Sequence, residues 1–490
     1  MLALRKYLAK DRAWSNTTRR GFIGLLAVAF VALRASGAIA SGTIWEVRPT
    51  LGSDTNGGGW VPGSSGTDYS QQSSAQYALT NGVANGTTTV GTASASADMV
   101  GNIAYIAGGT GSISGNWYQI ISQITGVSIT VDRSTGLTTG TGVTINVGGA
   151  WATLTPWPTA AQAGNTTWVK ATGTYGLSSH LNLSISGGST AQLTLISGYT
   201  STRGDGGIVT INCTTTLTGS ACINVNTPGL AFANFAVSAN SNPARGIQIS
   251  TTGTAIYNVT ATGFTDSFAF LSSNNAVLFV NCSATSCTCP GFFQTGYSWF
   301  IDCYAASCQG GFILNAGGAS TLIRCTSANN TGNTGYHGFS VQGDQTQVSM
   351  INCVAYNNGG DGFHISAAQQ TAYLIQNCIS YGNAGYGLNY TTSPTGVLYG
   401  FNYNAYGSNT SGNLNVVPAG PNDVTLTANP FNAPLTGDFS LNSTSGGGAA
   451  CRGAGFQGSF GGAVNGAIDI GAVQSAGGAS SPSPVGFVTQ

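Results

Sequence analysis

Three short words recur in the middle of the chain: Ile301-Asp302-Cys303, Ile323-Arg324-Cys325 and Ile351-Asn352-Cys353. Aligned outward from them, one position runs Phe235, Val259, Cys282, Cys303, Cys325, Cys353, Cys378 and Tyr403. The spacings are 24, 23, 21, 22, 28, 25 and 25 residues. A period in this range marks a solenoid, in which each repeat buries its apolar face only against its neighbours. After a turn, the words are followed by Gly291-Phe292, Gly311-Phe312, Gly338-Phe339, Gly362-Phe363 and Gly387-Leu388. Two residues past the Cys position stand Ala284, Ala305, Ser327, Ala355, Ser380 and Ala405. Strand side chains alternate, so this small file shares an inward face with the cysteines. The Phe file is expected inward as well, as a stack of rings. Asn330, Asn358 and Asn383 predict an asparagine ladder at a turn, where Asn tolerates left-handed backbone and bonds its copy one rung away.

Words such as Asn357-Asn358-Gly359-Gly360-Asp361-Gly362-Phe363 resemble the repeats of right-handed parallel β-helix proteins of the pectate-lyase-like superfamily. Gly164-Asn165-Thr166-Thr167-Trp168-Val169-Lys170 is similar to the first strand of such helices, and Ala467-Ile468-Asp469-Ile470-Gly471-Ala472 to their closing segment. The resemblance implies an all-β, right-handed parallel β-helix (a solenoid) over residues 159–475. Residues 41–158 alternate polar and apolar positions between Gly-rich turns, as from Asp98 to Arg133, and read as a small β-rich N-terminal module or cap; irregular early coils are the alternative.

Composition agrees with ordered β structure. Apolar residues make up 41% and charged residues only 6%, the reverse of what disorder requires. Seven of the fourteen Lys and Arg precede residue 41 and thirteen of the fourteen acids follow it, leaving a net charge of −6 beyond that point. No basic cluster there offers a nucleic-acid footprint. The first forty residues have the layout of a signal peptide: a basic start, an apolar run from Gly21 to Leu33 too short to span a bilayer, and the small-residue site Ala38-Ile39-Ala40. Thr18-Arg19-Arg20-Gly21-Phe22-Ile23 resembles a bacterial twin-arginine signal. An exported protein, periplasmic, cell-surface or extracellular, is expected, with no membrane span in the mature chain and a flexible tail at 476–490.

Eleven cysteines in an exported chain raise the question of disulfides. Five occupy one inward file, where Cys acts as a small hydrophobe. Cys287 and Cys308, on successive rungs of the Asn-ladder file, are the best disulfide candidate. The spacings provide no metal site.

Two of the three histidines fall in the repeats. His337 and Asp361 share a file on successive rungs, with Tyr386 on the next, and His364 stands outward three residues past Asp361. These three residues are the catalytic candidates, because a carboxylate beside an imidazole orients it for acid–base work. The plainer alternative makes Asp361 a turn residue and the histidines surface decoration. Tyr356, Tyr381 and Tyr406 predict an outward aromatic file able to stack on sugar rings, with Tyr386 as a further substrate contact; rungs reinforced by stacked rings are the alternative.

By resemblance, calcium-dependent pectate lyases imply Ca²⁺ held by an aspartate cluster; the matching file here reads Asn281, Asp302, Arg324, Asn352, Asn377, with Asp302 and Arg324 placed for an ion pair. Polygalacturonases imply Asn-Thr-Asp, Asp-Asp, Gly-His-Gly and Arg-Ile-Lys motifs. This chain has Tyr336-His337-Gly338, no Asp-Asp pair and no Arg-x-Lys. No cofactor is evident otherwise. The reading is a β-helix directed at extracellular polysaccharide, as binder, lyase or hydrolase. The rival is a non-catalytic surface, adhesive or tailspike-like protein.

Overall fold

The computed structural model describes residues 39–474, apart from 457–467 and the short stretches 137–138, 186, 215–216, 240–243, 274–275, 316–317, 333–334, 344–346, 367–371 and 392–397. The signal peptide read at 1–40 and the tail at 476–490 lie almost wholly outside these residues.

From residue 166 on, the chain winds through three short strands per turn, and each strand pairs in parallel with its copy one turn later. One sheet stacks Thr166–Lys170, Thr194–Tyr199, Val277–Val280, Ser298–Ile301, Ala319–Ile323, Gln347–Ile351, Ala372–Gln376 and Leu398–Asn402. A second stacks Thr174–Leu177, Val209–Cys213, Ser283–Thr285, Tyr304–Ala306, Thr326–Ala328, Val354–Tyr356, Ile379–Tyr381 and Ala405–Gly407. Between the early and late turns, the long strands Leu230–Ser238 and Ala255–Thr262 run through both. A third sheet has ten strands, among them Phe292–Gln294, Phe312–Leu314, Phe339–Val341, Phe363–Ile365 and Tyr386–Tyr390.

Like residues stack in the interior. Phe270, Phe292, Phe312, Phe339 and Phe363 lie 4.7–5.0 Å apart, ring on ring. Cys282, Cys303, Cys325, Cys353 and Cys378 are all buried. Each buried Phe contributes roughly 1.5–3 kcal/mol, so the files sum to a continuous core.

The asparagine ladder is present and extends to Asn409. Nδ2 of Asn330 donates to Oδ1 of Asn358 at 2.8 Å, Asn358 to Asn383 at 2.9 Å, and Asn383 to Asn409 at 2.9 Å. Each Oδ1 also accepts the backbone N–H of the ladder residue one turn earlier. The left-handed backbone belongs to the preceding residue instead: Asn329, Asn357, Gly382 and Ser408 all have positive φ. A second left-handed file, Asn281, Asp302, Arg324, Asn352, Asn377 and Tyr403, precedes the Cys file at the corner between the first two sheets. Polar residues crowd these corners because few others tolerate that conformation.

The last repeat differs from the spacing expected. Ile379 pairs with Ala405 and Ser380 with Tyr406, so Asn404, not Tyr403, follows Cys378 in the file. That turn is one residue longer, and the slip carries Tyr406 from the outer face to the interior, where it is 3% exposed.

Ahead of the coil, six antiparallel strands between Tyr77 and Val147 close a small barrel around Val90, Met99, Ile106, Ile120, Ile129, Val143 and Ile145. The chain contributes to the coil before entering this barrel. Ile44–Val47 pairs in parallel with Thr166–Lys170 and antiparallel with Gly59–Trp60. On that first strand Glu46, fully buried, takes ion pairs from Arg203 at 2.8 Å and Arg48 at 3.1 Å, and accepts the Tyr199 hydroxyl. Trp45 and Trp151 stack at 4.5 Å over the coil's end.

Candidate functional site

His337 and Asp361 hold equivalent places just before the third-sheet strands Phe339–Val341 and Phe363–Ile365, on adjacent turns. His364 is the outward residue of the latter strand. The three side chains converge. His364 Nδ1 lies 2.6 Å from Asp361 Oδ2, and His337 Nδ1 lies 3.4 Å from the same oxygen. The two imidazoles are parallel, 4° between planes and 3.8 Å between centres. They face a depression of about 430 Å³, floored by Gly359, Gly360, Ala384 and Gly385.

Hydrogen bonds fix the roles of the ring nitrogens. The backbone N–H of Asp361 donates to His337 Nδ1 at 2.9 Å, so that nitrogen is an acceptor and Nε2 carries the hydrogen. Burial, aided by the neighbouring His364, pulls the His337 pKa down to about 4 against the pull of Asp361, keeping the ring neutral near pH 7. Burial pushes the Asp361 carboxyl up. Hydrogen bonds from His364, from Asn389 Nδ2 at 2.8 Å and from the backbone N–H of Tyr386 at 2.6 Å outweigh it and hold the group below the ordinary aspartate range. Ionised Asp361 can only accept, so His364 Nδ1 donates, and in the neutral ring Nε2 is the nitrogen that carries the lone pair. The pair is an Asp–His dyad with a neutral N–H donor stacked beneath it.

Glycines make the space. A Cβ on Gly385 would come within 2.1 Å of Asp361 Oδ1, and one on Gly360 within 2.7 Å of His337 Nδ1. Asn389 pairs in register with His364 one turn on and locks the carboxylate. Sequence reasoning missed Asn389, although its spacing of 25 residues from His364 equals that of Tyr386 from Asp361. Tyr386 reaches the site through its backbone N–H.

The tyrosine file is placed otherwise than expected. Tyr356 and Tyr381 do stack outward at 6.3 Å, but Tyr356 packs against Phe431 at 5.6 Å and Phe439 at 5.8 Å. The C-terminal segment, through Leu426, Phe431, Phe439, Leu441, Cys451 and Ile470, lies over this face of the second sheet and buries it. These rings anchor that cover instead of offering open faces to sugars, and Tyr406 is internal.

The expected Cys287–Cys308 bridge is also corrected. The disulfide joins Cys213 to Cys222 across one corner of an early turn, while Cys287 and Cys308 are free thiols. Each of the two donates to backbone carbonyls, Cys287 to Thr285 and Cys308 to Ala284 and Ala306, which satisfies the weak S–H donors where they stand.

Calcium does not fit. Ca²⁺ takes about six to eight oxygen ligands. Asp302, the one acid in the file compared above, is clamped by Arg324 at 2.6 and 2.7 Å. At the dyad the ligand atoms of His337, Asp361 and His364 lie within 4.8 Å of one another, but one carboxylate with two imidazoles offers too few oxygens for Ca²⁺.

These features place the molecule in the class of right-handed parallel β-helices. Residues 245–404 match the family described as the right handed beta helix region. Among solved structures, pectate lyase Pel9A is similar over 66% of this chain and 91% of its own, with 16% identity and a TM-score of 0.52. A rhamnogalacturonan lyase is similar over 56% of this chain and 83% of its own, with 14% identity and a TM-score of 0.46. At such identities the likeness is one of fold. None of the curated proteins matches this sequence. Among the described residues, no helix is long and apolar enough to cross a membrane.

Proposed function

We propose that this β-helix is an exported protein directed at extracellular polysaccharide, with the Asp361–His364 dyad as its working centre. The observation that carries the reading is the 2.6 Å contact between His364 Nδ1 and Asp361 Oδ2, in an open depression on the coil. An imidazole Nε2 lone pair backed by an ionised carboxylate is a general base, and the neutral Nε2–H of His337 beside it is a hydrogen-bond donor for a developing negative charge. The likeness in fold to a pectate lyase supports a glycan as the partner. Hydrolysis by paired carboxylates has less support, because it needs two carboxyl groups roughly 5–10 Å apart and, among the described residues, Asp361 is the one acid lining the depression.

The test is incubation of purified protein with a panel of uronate-containing, esterified and neutral glycans, reading new chain ends and released acyl groups. His364→Ala is expected to lower turnover by about 10²–10⁴-fold with binding largely kept. Binding without any turnover, unchanged in His364→Ala, would favour the non-catalytic rod.

A further inference from the structure

Beyond that reading, and resting on it, we infer that the dyad site takes an uncharged saccharide and discriminates against a uronate carboxylate. The argument is one of charge. A bound carboxylate needs a cation, from Arg, from Lys or from a metal held by several acids. Beyond residue 40 the chain has seven Lys and Arg, and each is engaged elsewhere. Arg48 and Arg203 hold the buried Glu46. Arg133 pairs with Asp132, Arg245 with Asp266 and Arg324 with Asp302. Lys170 lies over the Tyr199 ring, and Arg452 donates to the Leu441 carbonyl.

Among the described residues none of these cations lines the depression. The fixed charge there is the Asp361 anion, and His337 is held neutral beside it. The polar groups next along the coil are amides: Asn389, bonded to the carboxylate, and Asn415, whose Nδ2 donates to Asn389 Oδ1 at 2.9 Å. Amides and a neutral imidazole N–H match hydroxyl, ester and acetamido groups. An approaching carboxylate meets an anion at short range, with no Lys or Arg among the described lining residues to offset it.

The experiment uses the full chain and polysaccharide pairs that share a backbone and differ in charge: polygalacturonate with its methyl ester, carboxymethyl-cellulose with hydroxyethyl-cellulose, and oxidised with native α-glucan. Dissociation constants are measured at low and high salt. In any pair that binds, the neutral member is expected to bind at least about tenfold tighter, and the ratio to shrink as salt screens the anion. Asp361→Asn, nearly isosteric, is expected to narrow the ratio by improving the acidic member. An acidic member bound as tightly as its neutral counterpart, or a ratio indifferent to both salt and Asp361→Asn, would overturn the inference and leave the glycan reading standing. Failure of every pair to bind would overturn the glycan reading, and this inference with it.

Discussion

The imidazole of His337 lies flat on that of His364, one turn of the coil apart, with 3.8 Å between ring centres. Two imidazolium ions at that distance would repel strongly, so the stack admits at most one positive charge. The buried ring is the one that stays neutral.

That neutrality carries a pH signature. His337 titrates near 4 in the folded chain and near 6.5 when unfolded, so between these values the unfolded state binds the extra proton. Stability therefore falls as pH drops from about 6.5 to 4, by roughly 3 kcal/mol, and Asp361, with its lowered pKa, adds a further loss at more acid pH. Denaturant melts of wild type and His337→Gln across this range check it; the variant should lose most of the slope between pH 6.5 and 4.

Gly385→Ala tests the space behind the carboxylate. The new methyl would sit where Asp361 Oδ1 now lies, displacing the carboxylate from His364. Turnover on any glycan the protein processes should fall about 10²-fold, the cost of a misplaced catalytic group, while the far-ultraviolet spectrum keeps its β signature. An unchanged rate would show that the carboxylate's position does not matter.

Asn358→Ala removes one rung of the ladder. It deletes the bonds to Asn383 and the Ser327 carbonyl and strips Asn330 of its acceptor, leaving buried polar groups unpaired. A loss of about 2–4 kcal/mol is expected in chemical denaturation. Asn329→Ala, at the half-buried neighbouring corner, should cost less than this.

The cysteines have a simple readout. Alkylation of the unfolded, unreduced protein should label nine thiols and spare Cys213 and Cys222; reduction should then expose two more. Peptide mapping that finds Cys287 joined to Cys308 would contradict the arrangement described here.

Much of the coil was legible because it repeats. The Cys and Phe files recur in fixed words, so their stacking follows once the words are aligned, and the same alignment brings His337, Asp361 and His364 together. Where the words stop, the reading slipped. Past Cys378 no cysteine marks the register, and a turn one residue longer turned Tyr406 inward. Cys213 and Cys222 lie in early turns with no recurring word. The cover over Tyr356 comes from Phe431 and Phe439, in a segment that repeats nothing and whose docking depends on shape. At the site, composition named the acid and the bases, but ring stacking and the choice of lone pair are set by side-chain orientation, which spacing does not encode.

The strand Ile44–Val47, with Gly59–Trp60 running the opposite way beside it, occupies the edge that a parallel stack leaves open. A coil of identical rungs is a natural template for joining head to tail into filaments, since its terminal strands present unsatisfied amides. Here the sheet that begins with Thr166–Lys170 is capped by Ile44–Val47, pinned through Glu46 to Arg203 more than 150 residues later. The edge of that sheet is thereby covered, and deleting the strand is expected to leave Thr166–Lys170 open to pairing with another chain, read as concentration-dependent aggregation.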